Sequence, residues 1–179
     1  MSAARWDRDD MHAAVTESIR IAASAKRIWN ALLDREQGRV WRGADFQTDW
    51  REGSPILIVA RIGRKAYHDS GSVLRASAPF LLAYDFLPKV SGLPDTPESY
   101  SRVTFRLIEE ETQTLLEVEH TVPPSPVRRG NGFEIGPESG EKHVRFYWRS
   151  TLPLLRDLVE GRDTVALKVA KAAAVAGRL

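Results

Sequence analysis

The chain contains no cysteine. Disulfides, thiolate metal sites and a cysteine nucleophile are therefore excluded. An excess of charge of one sign is missing too. Across 179 residues, 26 Lys and Arg stand against 24 Asp and Glu, a formal net charge of +2. Acids and bases are interspersed almost throughout, so no clustered basic face of the kind that grips nucleic acid is expected. No apolar run approaches the ~20 residues of a membrane-spanning helix, and stable membrane insertion is not expected. The opening MSAARWDRDDMHAA is charged and lacks the apolar stretch of a signal peptide. Residence in the cytoplasm follows as the expectation. Histidine is scarce, with four in the chain, and none forms H-E-x-x-H. G-x-S-x-G is also absent, and RRGNGFEIG is neither a P-loop nor G-x-G-x-x-G. Neither a metal nor a cofactor is expected, and no catalytic residue is assigned.

What remains is an ordinary globular composition. A hydrophobic content of 42% over this length suffices for one domain with a substantial core. Residues 1–13 read as a flexible leader and 14–161 as the domain. Residues 162–179 read as a tail or short helix. Val15 to Ile21 alternates apolar and polar, the pattern of a strand. Ser24 stands where a helix N-cap belongs, and Ile28, Trp29, Leu32 and Leu33 follow at helical spacing. A second short helix is expected from Asp34 to about Trp41. Strands are then expected over Asp45–Trp50, Ile56–Ile62, Lys65–Arg75 and Phe80–Leu87. A hairpin of Tyr100–Glu110 and Thr112–Val122 follows. Pro88–Ser99 reads as a loop, and Pro123–Gly136 as a longer lid or connector. Pro137 to Glu160 carries one long apolar stripe through Val144, Trp148, Leu152, Leu155 and Val159. Pro137, Glu138 and Glu141 suit its start, Gly161 suits its stop, and Pro153 should bend it.

One strand, two short helices, a run of antiparallel strands and one long helix make an α+β plan. In this order, IRIAASAKRIWNALLD, DWREGSPILI, GSVLRASAPFLLAYDF, SRVTFRLIEEETQTLLEVEHT and WRSTLPLLRDLVEG resemble the START-like, birch-pollen-allergen-like superfamily (SRPBCC). Within it the chain is most similar to the family of the activator of heat-shock-protein-90 ATPase. The resemblance implies a helix-grip fold: a curved antiparallel sheet wrapped around the long C-terminal helix, with two short helices after the first strand. It also implies that those helices support the closed end of a cavity, with Trp29 wedged against the sheet and Trp41 beside it. A chaperone partner is a further implication.

One helix cannot fill the concave face of such a sheet, so an apolar chamber is expected. Strand alternation assigns its lining to Trp50, Ile58, Tyr67, Tyr84, Phe86, Phe105 and His120. Trp148 and Leu152 close it from the helix. Asp85, Glu117 and Glu119 should face outward. Alternation also puts Glu119 and His120, and likewise His68 and Asp69, on opposite faces, which removes the apparent metal clusters. His120 reads first as a core imidazole bonded to a neighbour and second as a general base. Tyr67 and Tyr84 can pack, orient a polar ligand group, or both.

The leading expectation is therefore a binding protein for a small hydrophobic or aromatic molecule. One alternative is a polyketide cyclase or aromatase-like enzyme using His120 and a tyrosine. Another is a co-chaperone-like interaction module. The 162–179 segment leaves homodimer formation open.

Overall fold

The alternation of β1 (Ala13–Ile21) places Val15 and Ile21 in the interior while Thr16, Ser18 and Arg20 meet solvent. The computed structural model describes residues 13–124, 128–130, 133–135 and 139–177. Of the expected leader 1–13, residues 1–12 lie outside the described residues and Ala13 begins β1; Pro137, Glu138 and the side chains of Arg128 and Arg129 also lie outside them.

Helix α1 (Ala25–Leu33) starts where Ser24 accepts the Arg27 N–H at 3.3 Å. Asp34 ends that helix and begins the next. Its own N–H donates to the Asn30 carbonyl, and its carboxylate accepts the Gln37 N–H at 2.7 Å to cap α2 (Arg35–Trp41). The Trp41 indole donates to the Ala31 carbonyl at 3.3 Å, tying α2 to α1. Trp29, Ile28 and Leu32 are buried beneath the pair.

Six strands follow: β2 (Ala44–Gln47), β3 (Pro55–Ile62), β4 (Lys65–Ser77), β5 (Leu81–Leu87), β6 (Ser101–Glu109) and β7 (Thr114–Val122). With β1 they form one seven-stranded sheet in the order β1-β7-β6-β5-β4-β3-β2, and every neighbouring pair is antiparallel. Strands β1 and β2 lie at opposite edges, so α1 and α2 must carry the chain from one edge to the other. The long helix α3 (Ser139–Val159) packs against β1 and β7 and closes the inner face. It runs through Pro153 as one element.

The β4–β5 pairing includes a bulge between Val73 and Arg75. Nearby, a Cβ on Gly71 would lie 1.8 Å from the Asp85 carbonyl oxygen, so only glycine fits this approach. The β3–β4 turn places Gly63 at φ 61°, a left-handed conformation that suits glycine.

Several expectations change in detail. The Asp45–Trp50 strand stops at Gln47, and Trp50 adopts φ 59° outside the sheet. Pro88–Ser99 contains two 3-10 turns, Lys89–Ser91 and Pro97–Ser99. Within Pro123–Gly136, β8 (Arg128–Gly130) pairs with β9 (Phe133–Ile135) as a separate ribbon. The C-terminal segment forms helix α4 (Val165–Ala176), capped by Thr164. Leu167 is buried and α4 packs on α2 and α3, while Val165 and Val169 are exposed. Asp85 belongs to the outer face by register yet is buried, because its carboxylate is drawn in to accept the Ser72 N–H at 2.9 Å.

Candidate functional site

The inner face of the sheet and the facing side of α3 meet through aromatic rings. Phe105 of β6 lies edge-on to Trp148 at 5.5 Å and to Trp41 at 6.4 Å. Tyr84 of β5 continues the row to Phe86 at 6.2 Å, Phe46 at 5.6 Å and Trp50 at 6.0 Å. Cover over this row is uneven. Phe105, Leu116 and Leu155 are sealed from solvent, whereas Trp50, Phe86, Val144 and Tyr147 are only partly buried. The sealed end is also where the Arg27 guanidinium donates to the Val159 carbonyl at 2.6 Å, joining α1 to the end of α3. The interior is thus closed at the α1 end and more thinly covered along the first half of α3.

His120 is buried in this wall. The Trp148 indole N–H donates to its Nδ1 at 3.1 Å, and the Phe86 ring stands 5.8 Å away. That bond leaves the proton on Nε2. Burial, aided by the charge of His143, pushes the imidazole pKa down to about 3. A neutral ring whose free lone pair is already engaged is a weak proton acceptor near pH 7.

Arg42, the C-cap of α2, was not legible as a site residue. It is 3% exposed, and its guanidinium lies 4.3 Å from the Phe46 ring, 4.5 Å from Trp41 and 5.4 Å from Trp50. Among the described residues, its Nε and Nη2 have no hydrogen-bond partner. Burial pulls its pKa down, opposed by the neighbouring Tyr84 and Tyr147. Burial likewise pushes the Tyr84 phenol up to about 12 and that of Tyr147 upward, with Arg42 resisting both. The Tyr147 hydroxyl donates to the Arg42 carbonyl at 3.1 Å.

Of the nine residues expected to line the chamber, Ile58, Tyr84, Phe105, His120, Trp148 and Leu152 are buried on its inner side. Phe86 joins them partly buried. Trp50 reaches the same place from outside the sheet. Its indole donates to the Leu33 carbonyl at 3.0 Å, and its ring stacks on Phe46 at 6.2 Å. Tyr67 does not join the group. It sits near the β3–β4 turn, half-buried, with Lys65 Nζ 5.1 Å from its ring. Alternation put it on the inner face, but the strand has by then run past the part covered by α3. Asp69 shares the inner face with its partner Ile58. Its carboxylate accepts the Lys89 N–H at 2.8 Å, and burial raises its pKa. Arg42, Phe46 and Tyr147 were missed. No local signal marked Arg42: even at Gly38, one turn earlier, a Cβ would stand at an ordinary contact distance of 3.5 Å from Nη1.

Among the described residues, no helix is long and apolar enough to cross a membrane. The family described as Activator of Hsp90 ATPase homolog 1-like protein has a sequence profile that matches residues 22–160. No curated protein matches the chain. Among solved structures, ChR145 from Cytophaga hutchinsonii is similar at TM-score 0.66 and 25% identity, covering 85% of this chain and 97% of that one. CalU16 from Micromonospora echinospora is similar at TM-score 0.60 and 22% identity, covering 92% and 86%. The Aha1 dimer from Colwellia psychrerythraea is similar at TM-score 0.58 and 19% identity, covering 83% and 96%. All three share the α+β fold built on a curved antiparallel sheet and a C-terminal helix.

Proposed function

The chain belongs to the family of Activator of Hsp90 ATPase homolog 1-like proteins, and from that premise we propose that it binds one small hydrophobic or aromatic molecule between the sheet and α3. The observation that carries this reading is the uneven closure of the aromatic interior. Phe105 and Leu155 are fully buried, but Trp50, Phe86 and Tyr147 are not, although they belong to the same cluster. A wall that is apolar, aromatic and incompletely covered beside a few polar tips is the usual make-up of a small-molecule site. The ligand lies along the first half of α3, against Trp50, Tyr84, Phe86 and Trp148. Its role is binding without acid–base chemistry, since His120 is held neutral with Nδ1 occupied.

Native mass spectrometry of the protein purified from its host tests this directly. A bound mass that is lost on organic extraction, together with quenching of tryptophan fluorescence when the molecule is returned, is the expected result. Absence of any bound mass, with no quenching by a panel of aromatic and aliphatic metabolites, would overturn it.

A chaperone partner is the second reading. It is favoured by the family and by the exposure of Phe146 at 71%, Val165 at 77% and Val169 at 63%. Pull-down with a purified chaperone ATPase, and assay of its turnover, separates this reading from ligand binding.

A further inference from the structure

Among the described residues, Arg42 is a buried charge without a counter-charge. Removing a guanidinium from water is strongly unfavourable unless its N–H groups find acceptors or an anion. The rings of Trp41, Phe46 and Trp50 compensate the flat faces of the group. They do nothing for the N–H bonds, which lie in its plane. The two nitrogens left without partners, Nε and Nη2, form one edge of that plane.

The chain shows elsewhere what this edge recognises. Arg35 uses the same two nitrogens to hold Asp45, Nε to Oδ1 at 2.7 Å and Nη2 to Oδ2 at 2.8 Å. Two parallel donors at this spacing match a carboxylate. Asp45 itself is already engaged by Arg35 and Arg39. The setting of Arg42 is also firmly built. Its N–H donates to the Gly38 carbonyl at 2.8 Å, and Tyr147 holds its carbonyl. Trp50, whose ring lies against the guanidinium, is the one described non-glycine residue at positive φ. For so bulky a side chain this is a strained conformation, of the kind found at ligand clamps.

We propose that Arg42 receives the carboxylate of the bound molecule, so that the interior is a receptor for hydrophobic monocarboxylic acids. The inference deepens the binding reading above and rests on it. The apolar body of the acid packs on Trp50, Tyr84 and Phe86, and its carboxylate pairs with the buried, unpartnered edge of Arg42. One cation in a low-dielectric interior calls for one negative charge, whereas a phosphate monoester brings nearly two.

Matched acid–amide pairs test the proposal: 2-naphthoate, 4-phenylbutyrate and decanoate, each against its primary amide. Binding is read by tryptophan fluorescence and calorimetry on the full chain. At least one acid should bind the wild type about tenfold or more tightly than its amide. In R42Q that preference should vanish through a loss of acid affinity, while the amide still binds, which shows that the apolar part of the site is intact. R42K keeps the charge but lacks the fork, and should recover only part of the preference. Should R42Q fail to fold, the wild-type comparison still decides. Equal binding of acids and amides overturns the carboxylate receptor and leaves hydrophobic binding standing. A preference that persists in R42Q overturns the assignment to Arg42. No binding of either member of any pair overturns the binding reading, and this inference with it.

Discussion

Lowering the pH should destabilise the protein through His120, and the size of the effect can be worked out. In the unfolded chain its imidazole titrates near the ordinary value of 6.5, while in the fold burial holds it at about 3. The unfolded state therefore binds a proton that the native state refuses. Stability from this source is complete above pH 6.5 and is lost as the pH falls toward 3. The slope over that window is about 1.4 kcal/mol per pH unit, so at about pH 5 the loss is roughly 2 kcal/mol. The geometry gives the reason. Protonating Nδ1 would turn the acceptor of the Trp148 indole into a second donor facing it. The assay is urea unfolding of wild type and His120→Asn at about pH 7.5 and about pH 5. Asparagine can present Oδ1 to the indole and does not titrate. Carboxylate titrations are common to both proteins and cancel in the difference. Wild type should lose roughly 2 kcal/mol more than the variant across the interval. Equal losses would refute the claim that His120 is buried, neutral and bonded through Nδ1.

Three further outcomes follow from the packing. Trp148→Ala should cost about 3–5 kcal/mol in chemical denaturation, since the ring is 2% exposed and packs on Phe105 and Tyr147. A loss under about 1 kcal/mol would mean that α3 does not anchor through it. Gly71→Ala should lower the melting temperature more than any surface alanine, because the added Cβ meets the Asp85 carbonyl oxygen at 1.8 Å. An unchanged melt would show that the β4–β5 approach is looser than described. Ser24→Ala should cost about 1 kcal/mol by removing the cap of α1, and Ser24→Asp should restore most of it in the same thermal melts.

Much of the fold was legible because two local rules operate without tertiary help. Strand alternation put Val103, Phe105 and Leu107 on one face and Val118 and His120 on the opposing strand's matching face, and these residues are buried. Cap chemistry marked the start of α1 at Ser24, since a hydroxyl before an apolar helical stripe has an orphan N–H to satisfy. Trp50 escaped those rules. Its conformation is φ 59°, which no bulky residue prefers, and it is held by an indole bond to Leu33, 17 positions earlier. The ribbon of β8 and β9 was equally hidden, as its sequence has neither alternation nor length.

By itself, the sequence determined the order of the seven main strands and the long helix, most of the inward strand faces and the exclusion of cysteine chemistry, because each depends on residue type and short spacing. Tertiary structure alone decided where the inner face is covered, which left Tyr67 at the margin and brought Arg42 inside. An arginine after a tryptophan carries no sign of burial, since Arg is rarely buried without a partner. The rings around that guanidinium, Trp41, Phe46 and Trp50, lie within eight positions of it, but it is the packing of α3, whose Tyr147 hydroxyl reaches the Arg42 carbonyl from 105 positions away, that brings the group inside, and no local pattern reports such a contact.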